Sequence, residues 1–76
     1  MATITVYTKP GCMKCNMTTR LLDKRGIDYR LIDVYEDAAA FAHVTEDLGF
    51  RTMPVVETPT DKWCDFRETK IKSLRA

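Results

Sequence analysis

The apolar and polar positions change period along the first part of the chain. Residues 2–7 alternate with β-branched side chains, a period of two that predicts a strand. The proline and glycine of Lys9-Pro10-Gly11 end this pattern, and residues 13–25 then follow the helical period up to Gly26. Residues 28–34 predict a second strand. A strand, a helix and a strand in this order imply a right-handed parallel unit.

The predicted first helix has one apolar face. Met13, Met17 and Leu21 lie four residues apart and form a row on this face. Thr18 and Leu22 lie next to that row and extend the face. We expect the methionines to pack in the core as flexible gap-fillers, with a ligand-binding stripe as the alternative. Met13 is the exception, because it lies between two cysteines, where a partner would make contact.

The second half of the chain begins with another helical pattern at residues 37–48. The apolar face of this predicted helix consists of Phe41, Val44 and Leu48. His43 lies off that face, so we interpret it as a solvated surface residue, with a catalytic role as the alternative.

A hairpin and a last helix follow. Residues 54–57 are predicted to pair as a strand with residues 63–65 across a turn at residues 58–61. Pro54 stands near the head of its strand, where a missing N–H is tolerated, and both the cis and the trans isomer stay open. Residues 66–74 predict the helix. Its expected buried positions are Phe66, Ile71 and Leu74.

Composition narrows the classes of function. A chain of 76 residues allows one domain, residues 1–76, and 45% apolar residues supply one core. The formal charge of +1 argues against a nucleic-acid surface, and no apolar run approaches the roughly 18 residues of a membrane span. The N-terminus shows no secretory signal, and three cysteines are an odd number for a disulfide framework. We therefore expect a cytoplasmic protein, and a monomer because no large exposed apolar face stands out.

The candidate chemistry lies in Cys12-Met13-Lys14-Cys15, at the predicted start of the first helix. The nucleophilic form of cysteine is the thiolate, and a free thiol has a pKa of about 8.5. The sulfur of Cys12 would face the unpaired N–H groups of the helix N-terminus, with Lys14 and Lys9 as nearby cations. We therefore predict Cys12 as the nucleophile. Cys15, one turn further and more buried, is the predicted resolving thiol that releases a reduced target.

The cysteines also allow other interpretations. The alternatives for the pair are two unrelated core thiols or half of a structural zinc site, which needs four ligands. Only Cys64 and His43 remain as further ligands, at unsuitable spacing, so we expect no metal. Cys64 is either a half-buried filler or a third redox thiol beside the active face, able to trap Cys12 or to be glutathionylated.

Four segments of the chain match one known family along nearly the whole sequence. They are Val6 to Cys12 with Cys15, Leu22 to Ile27, Met53 to Val56, and Trp63 to Arg67. Together they resemble the NrdH-redoxins, which are glutaredoxin-like proteins of the thioredoxin fold. The resemblance implies an α/β fold in which a four-stranded mixed sheet is flanked by three helices, in the order βαβαββα.

The resemblance also implies an activity, partners and further site residues. NrdH-redoxins take electrons from thioredoxin reductase, whose source is NADPH, and pass them to the class Ib ribonucleotide reductase or to other disulfides. We therefore expect a thiol–disulfide oxidoreductase without a bound cofactor, which contacts thioredoxin reductase and the large subunit of ribonucleotide reductase. The family's proline at the position of Pro54 is cis and faces the active site. The residues expected to support the site or contact a partner are Lys9, Met13, Lys14, Met53, Pro54, Trp63, Phe66 and Arg67.

The chain departs from the family in its C-terminal signature. Where NrdH-redoxins have Trp-Ser-Gly-Phe-Arg-Pro, this sequence has Cys64, Asp65 and Glu68 in place of serine, glycine and proline. If that glycine has an unusual backbone angle, Asp65 must adopt it at some cost, or the turn differs. Asp65 with Glu68 also resembles a capping pair for the last helix.

Two alternative functions follow from these comparisons of residues. Glutathione-dependent glutaredoxins bind the tripeptide through a lysine near the first cysteine, the backbone before the cis-proline, and a Gly-Gly stretch near a Cys-Ser/Thr-Asp segment. Lys9 and Met53 meet the first two conditions, but the Gly-Gly is absent and we expect the indole of Trp63 to occupy its neighbourhood. This predicts weak or missing glutathione binding. The other alternative is a non-catalytic metal or iron–sulfur carrier, although monothiol carriers of this kind lack the counterpart of Cys15.

Overall fold

The helices and strands follow the predicted order. The computed structural model describes residues 3–74, so residue 2 of the predicted first strand lies outside the described part. The strands are β1 (Thr5–Thr8), β2 (Arg30–Asp33), β3 (Val55–Glu57) and β4 (Lys62–Cys64). The helices are α1 (Met13–Lys24), α2 (Ala38–Ala42), which continues as a π-helical segment (His43–Asp47), and α3 (Glu68–Ser73).

The four strands form one mixed sheet in the order β2-β1-β3-β4. β1 runs parallel to β2 and antiparallel to β3, with Tyr7 opposite Val55. β3 and β4 form the predicted hairpin, with Val56 opposite Trp63. The sheet and its three helices confirm the predicted α/β fold class and its βαβαββα order.

The sheet separates two buried clusters, because successive side chains of a strand point to opposite faces. One cluster lies between the sheet and α2 and includes the two paired cysteines. Its buried members are Tyr7, Cys12, Cys15, Val34, Ala40, Val44, Met53 and Val55. The other lies between the sheet and helices α1 and α3. Its buried members are Ile4, Val6, Leu22, Ile27, Val56, Trp63 and Ile71.

The buried face of α1 differs from the predicted one. It consists of Cys15, Thr18 and Leu22, so Thr18 and Leu22 are buried as expected. Met17 is 42% exposed, so the prediction that it packs in the core is wrong, whereas Met13, the expected exception, is 76% exposed. Because the face with Cys15 packs against the core, the face with Met13 and Met17 points towards solvent. The buried hydroxyl of Thr18 donates to the carbonyl oxygen of Lys14 at 2.9 Å, which satisfies it within the helix.

The second predicted helix is interrupted by its π-helical segment. The N–H of Leu48 donates to the carbonyl oxygen of His43 at 3.0 Å, a spacing of five residues. The face that meets the core includes Ala40 and Val44, which lie four residues apart. Val44 is fully buried and Leu48 partly buried, as predicted, but Phe41 is 46% exposed, in contrast to the expected buried position.

The last helix begins later than predicted, at Glu68 rather than at residue 66. Ile71 is fully buried, whereas Phe66 and Leu74 are only partly buried against it. Arg67 is the N-cap residue and makes no side-chain capping hydrogen bond, so the predicted Asp65–Glu68 capping pair is wrong. Two residues separate Asp65 from the first helical residue, and its carboxylate bonds elsewhere.

Candidate active site

The cysteine pair lies at the junction between β1 and α1. Gly11 has a φ of +69°, a conformation that favours glycine, and it turns the chain into the helix. Cys12 is the N-cap residue of this 12-residue helix, with an extended backbone. Its sulfur accepts a hydrogen bond from the backbone N–H of Cys15 at 3.1 Å. The sulfur of Cys12 therefore takes the place of the oxygen in an ordinary N-cap side chain.

Cys12 and Cys15 are joined as a disulfide. Cys12 is 9% exposed and Cys15 is 1% exposed, which confirms the prediction that Cys15 is the more buried of the two. The first sulfur is therefore the one that an external thiol or disulfide reaches more easily. The roles of nucleophile and resolving thiol stay predictions.

Pro54 follows a cis peptide bond after Met53, as the resemblance implied. Met53 belongs to the same buried cluster as both cysteines. Within residues 3–74, the backbone N–H and carbonyl oxygen of Met53 make no hydrogen bond. The backbone polar atoms of Met53 are therefore unpaired within the described chain, in the loop next to the disulfide. The carbonyl oxygen of Pro54 is engaged differently, because it accepts the N–H of Asp65 at 2.8 Å.

Asp65 adopts the left-handed conformation, with a φ of +74°. It therefore takes up a backbone angle that favours glycine, at the position where the NrdH-redoxin signature has one. Its Oδ1 accepts the N–H of Phe66 at 2.7 Å and contacts the Nζ of Lys14 at 3.0 Å. The Phe66 N–H and then the Lys14 ammonium hold the pKa of this carboxyl below its usual range.

The Asp65 contact changes the expected role of Lys14. The sequence suggested Lys14 as a cation beside the sulfur of Cys12, but its ammonium pairs with the carboxylate of Asp65. Sequence reasoning missed this partner. The available signal was the replacement of a family glycine by an acidic residue, read together with a lysine inside the Cys-x-x-Cys motif.

Two predicted partner-contacting residues are exposed beside the disulfide. Lys9 is exposed and forms no ion pair with any residue from 3 to 74. Met13 is among the most exposed apolar side chains of the described chain, at 76%. An apolar side chain and a free cation therefore flank the cysteines and are accessible to a partner.

Trp63 and Phe66 pack on the side of the sheet opposite the cysteines. Trp63 is 4% exposed and packs with Val56 and Ile71 in the cluster on the opposite side of the sheet. The Nε of Arg67 donates to the carbonyl oxygen of Cys64 at 3.1 Å. This segment therefore fastens α3 to the sheet, and the expectation that the indole blocks a glutathione site is wrong.

Cys64 lies on the cysteine side of the sheet. It is a half-buried free thiol that packs against the cluster containing Cys12 and Cys15. The half-buried position agrees with the interpretation of Cys64 as a filler. The alternative of a third redox thiol stays a prediction.

His43 is part of a hydrogen-bonded network rather than a freely solvated residue. Its Nδ1 lies 3.0 Å from Asp47 Oδ2, and its Nε2 lies 3.0 Å from Glu57 Oε1. The hydroxyl of Tyr7 donates to the same Glu57 oxygen at 3.0 Å. The hydrogen bonds to Asp47 and Glu57 raise the pKa of His43, and burial with the Glu57 contact raises the pKa of Tyr7 to about 12. This network connects the π-helical segment to β1 and β3.

The rest of the described chain offers no second site of comparable character. No group of three or more histidine, cysteine, aspartate or glutamate side chains among residues 3–74 is placed to hold a metal ion. In the same range, no helix has the length and apolar character to cross a membrane. A disulfide at a helix N-terminus, next to a loop with a cis-proline and on a four-stranded mixed sheet, is the arrangement of a thioredoxin-fold thiol–disulfide oxidoreductase.

Comparison with known proteins defines the family. The glutaredoxin family matches residues 4–61. The chain is 37% identical over 71 residues to the glutaredoxin-like protein NrdH of Escherichia coli K12, covering 93% of this chain and 86% of that protein. It is 41% identical over 61 residues to the gene 56 protein of mycobacteriophage L5, covering 80% of this chain and 59% of the phage protein. The structure of the E. coli NrdH-redoxin superposes with a TM-score of 0.87 at 36% identity, covering 96% of this chain and 95% of that one. The chain therefore belongs to the glutaredoxin family, among its NrdH-redoxins, and is a thiol–disulfide oxidoreductase.

Proposed function

We propose that this protein carries electrons from NADPH, through thioredoxin reductase, to a class Ib ribonucleotide reductase or to other protein disulfides. The observation that carries the proposal is the sulfur of Cys12 at the N-terminus of α1, bonded to the Cys15 N–H and next to the open backbone of Met53. Its similarity to E. coli NrdH-redoxin, which is described as having a thioredoxin-like activity profile, supports this choice of partners.

The forward reaction begins with the reduced protein. Cys12 loses its proton to solvent, and the thiolate attacks one sulfur of the target disulfide. A bond forms between Cys12 and that sulfur, the target's own sulfur–sulfur bond breaks, and the departing thiolate takes a proton. Cys15 then loses its proton and attacks Cys12, which releases the second target thiol. Two electrons and two protons reach the target, and the protein is left with its disulfide.

Regeneration reverses these bonds with a thiol pair of the reductase. The reductase thiolate attacks Cys12, because this sulfur is the more exposed of the two. Cys15 leaves as a thiolate, and the positive end of the helix dipole favours this negative charge. The second reductase thiol then releases Cys12, and NADPH restores the reductase.

A direct test follows NADPH consumption with a disulfide substrate in two parallel reactions. One contains thioredoxin reductase, and the other contains glutathione with glutathione reductase. We expect turnover with thioredoxin reductase, and Cys12→Ser should abolish it while Cys64→Ser leaves it unchanged. Turnover only in the reaction with glutathione and glutathione reductase would overturn the proposed electron source.

A glutathione-dependent glutaredoxin is the second candidate, and two observations favour it. Lys9 is unpaired within the described residues, and the backbone of Met53 is open, which are two of the features that hold glutathione in related proteins. The ion pair of Lys14 with Asp65 opposes it, because the carboxylate places negative charge where an anionic tripeptide would approach. An iron–sulfur or metal carrier is the third candidate, and iron or zinc bound to the purified protein would support it.

We also propose that the protein acts as a cytoplasmic monomer. A reducing compartment suits a dithiol with one additional free cysteine. Cell fractionation and sedimentation of the purified reduced protein test these two points, and a stable dimer would contradict the second.

A further inference from the structure

Asp65 occupies a left-handed backbone position and nevertheless carries an acidic side chain. Such a conformation is costly for residues other than glycine, although aspartate and asparagine tolerate it better than most. The residue is held at two points besides Lys14, one on its backbone and one on its carboxylate. The backbone N–H of Asp65 donates to Pro54, and Oδ1 accepts the N–H of Phe66. Its position is therefore set by the loop and does not depend on Lys14.

Lys14 is the more exposed member of the pair. Its side chain is 61% exposed, and its Nζ lies 3.0 Å from the fixed carboxylate of Asp65. Lys14 also belongs to the first turn of α1, between the two cysteines. Within the described residues, the sulfur of Cys12 accepts its hydrogen bond from the Cys15 N–H and none from Lys14. The only cation between the two cysteines is therefore paired with the Asp65 carboxylate and makes no hydrogen bond to the nucleophile in the described chain.

We propose that Asp65 is a positioning residue that tethers Lys14 and so keeps the Cys12 thiolate less stabilised, and the disulfide more reducing, than an untethered lysine would. The physical reason is electrostatic. A free ammonium near the thiolate stabilises the reduced form, which makes a dithiol pair more oxidising. A very acidic thiol is also a weaker nucleophile. This inference concerns the chemistry of Cys12 and holds whichever reductase or target the protein uses.

The test substitutes Asp65→Asn in the full-length protein. Asparagine tolerates the same backbone angle, and its side-chain oxygen can still accept the Phe66 N–H, so the loop is preserved while the charge is removed. Asp65→Gly is a second variant that relieves the backbone and also removes the charge. The control is Asp61→Asn, which removes the similarly exposed Asp61–Lys70 ion pair (2.8 Å) at the opposite end of the β3–β4 hairpin.

The first readout is the rate at which iodoacetamide alkylates Cys12 as a function of pH, in variants that also carry Cys64→Ser. We expect the profile of Asp65→Asn to move to lower pH, with a rate about three- to tenfold higher on its rising limb. The second readout is the equilibrium with a dithiothreitol redox buffer. The same thiolate stabilisation shifts the reduction potential by about 14–30 mV towards more oxidising values, since tenfold corresponds to 29.6 mV.

A double substitution separates the tether from other effects. In a Lys14→Gln background, the shift caused by Asp65→Asn should largely disappear, because no ammonium is left to release. The free energy of unfolding should change little, since exposed ion pairs contribute little to stability. An unchanged profile in both Asp65 variants would overturn the proposal. A full shift in the absence of Lys14, or an equal shift in Asp61→Asn, would also overturn it.

Discussion

The N-cap position of Cys12 predicts a pH-dependent stability in the reduced protein. The sulfur accepts the Cys15 N–H at 3.1 Å, and here the disulfide sulfur stands in for the thiolate that reduction produces. A hydrogen bond to a charged group contributes about 1.5–3 kcal/mol. The dipole of a helix N-terminus adds about 0.3–1 kcal/mol. Burial of Cys12 opposes both effects, so a net stabilisation of about 1–3 kcal/mol is expected for the ionised form.

The sign of the effect follows from linkage. If the folded protein lowers the pKa of Cys12 below that of a free thiol, the stabilisation is fully present above the unfolded value of about 8.5. It is lost as the pH falls through the lower, folded value. A protein that carries Cys15→Ser and Cys64→Ser keeps the backbone N–H of residue 15 and leaves Cys12 as the single thiol. Its free energy of unfolding, measured by urea titration with circular dichroism, should therefore increase as the pH rises.

A matched variant isolates the contribution of Cys12 from all other titrating groups. The thiol-free protein, with Cys12→Ser added to the other two substitutions, contains every remaining ionisable side chain. The difference between the two stability curves should rise by about 1–3 kcal/mol with increasing pH. A flat difference, or one that falls with pH, would refute the claim that the N-terminus of α1 stabilises the thiolate.

Three further predictions concern residues outside the disulfide. Because the pKa of His43 is raised, its contribution to stability is present below about pH 6.5 and is lost as the pH rises through the folded value. Urea unfolding at different pH values should show this loss, and the His43→Gln variant should lack it. Trp63→Ala should destabilise the protein by about 3–5 kcal/mol, because Trp63 is buried. Trp63→Phe should cost clearly less, because phenylalanine keeps most of the volume and removes an indole N–H that is buried without a partner in the described chain. Equal losses in the two variants would count against that packing argument. Mass spectrometry of the mildly oxidised protein should find Cys12 linked to Cys15 and Cys64 free. A disulfide between Cys64 and Cys12 would instead support the interpretation of Cys64 as a third redox thiol.

The order of elements and the position of the disulfide were predictable from local patterns. Alternation of side chains, the Pro10-Gly11 break and the Cys-x-x-Cys spacing are short-range signals, and the structure agrees with them. The bend in the second helix was not predictable, because residues 43–47 have no composition that favours a π-helical turn. Ala40 and Val44, rather than Phe41, face the core.

The side of the sheet on which a residue lies was harder to predict than its element. Trp63 and Cys64 are neighbours in β4, and a strand directs them to opposite faces. Only the pairing of Val56 with Trp63 places the indole away from the cysteines. The contact between Lys14 and Asp65 likewise joins residues far apart in sequence, and it depends on a backbone angle that only the folded turn reveals.

The most direct test of the central claim is to trap the mixed disulfide. Reduced Cys15→Ser protein is incubated with an oxidised protein substrate, and the product is mapped by mass spectrometry. We predict a stable adduct in which the substrate is bonded to Cys12, since no resolving thiol remains at residue 15 to release it. An adduct through Cys64 alone, or an adduct through Cys15 formed equally well by Cys12→Ser protein, would contradict the assignment of Cys12 as the nucleophile.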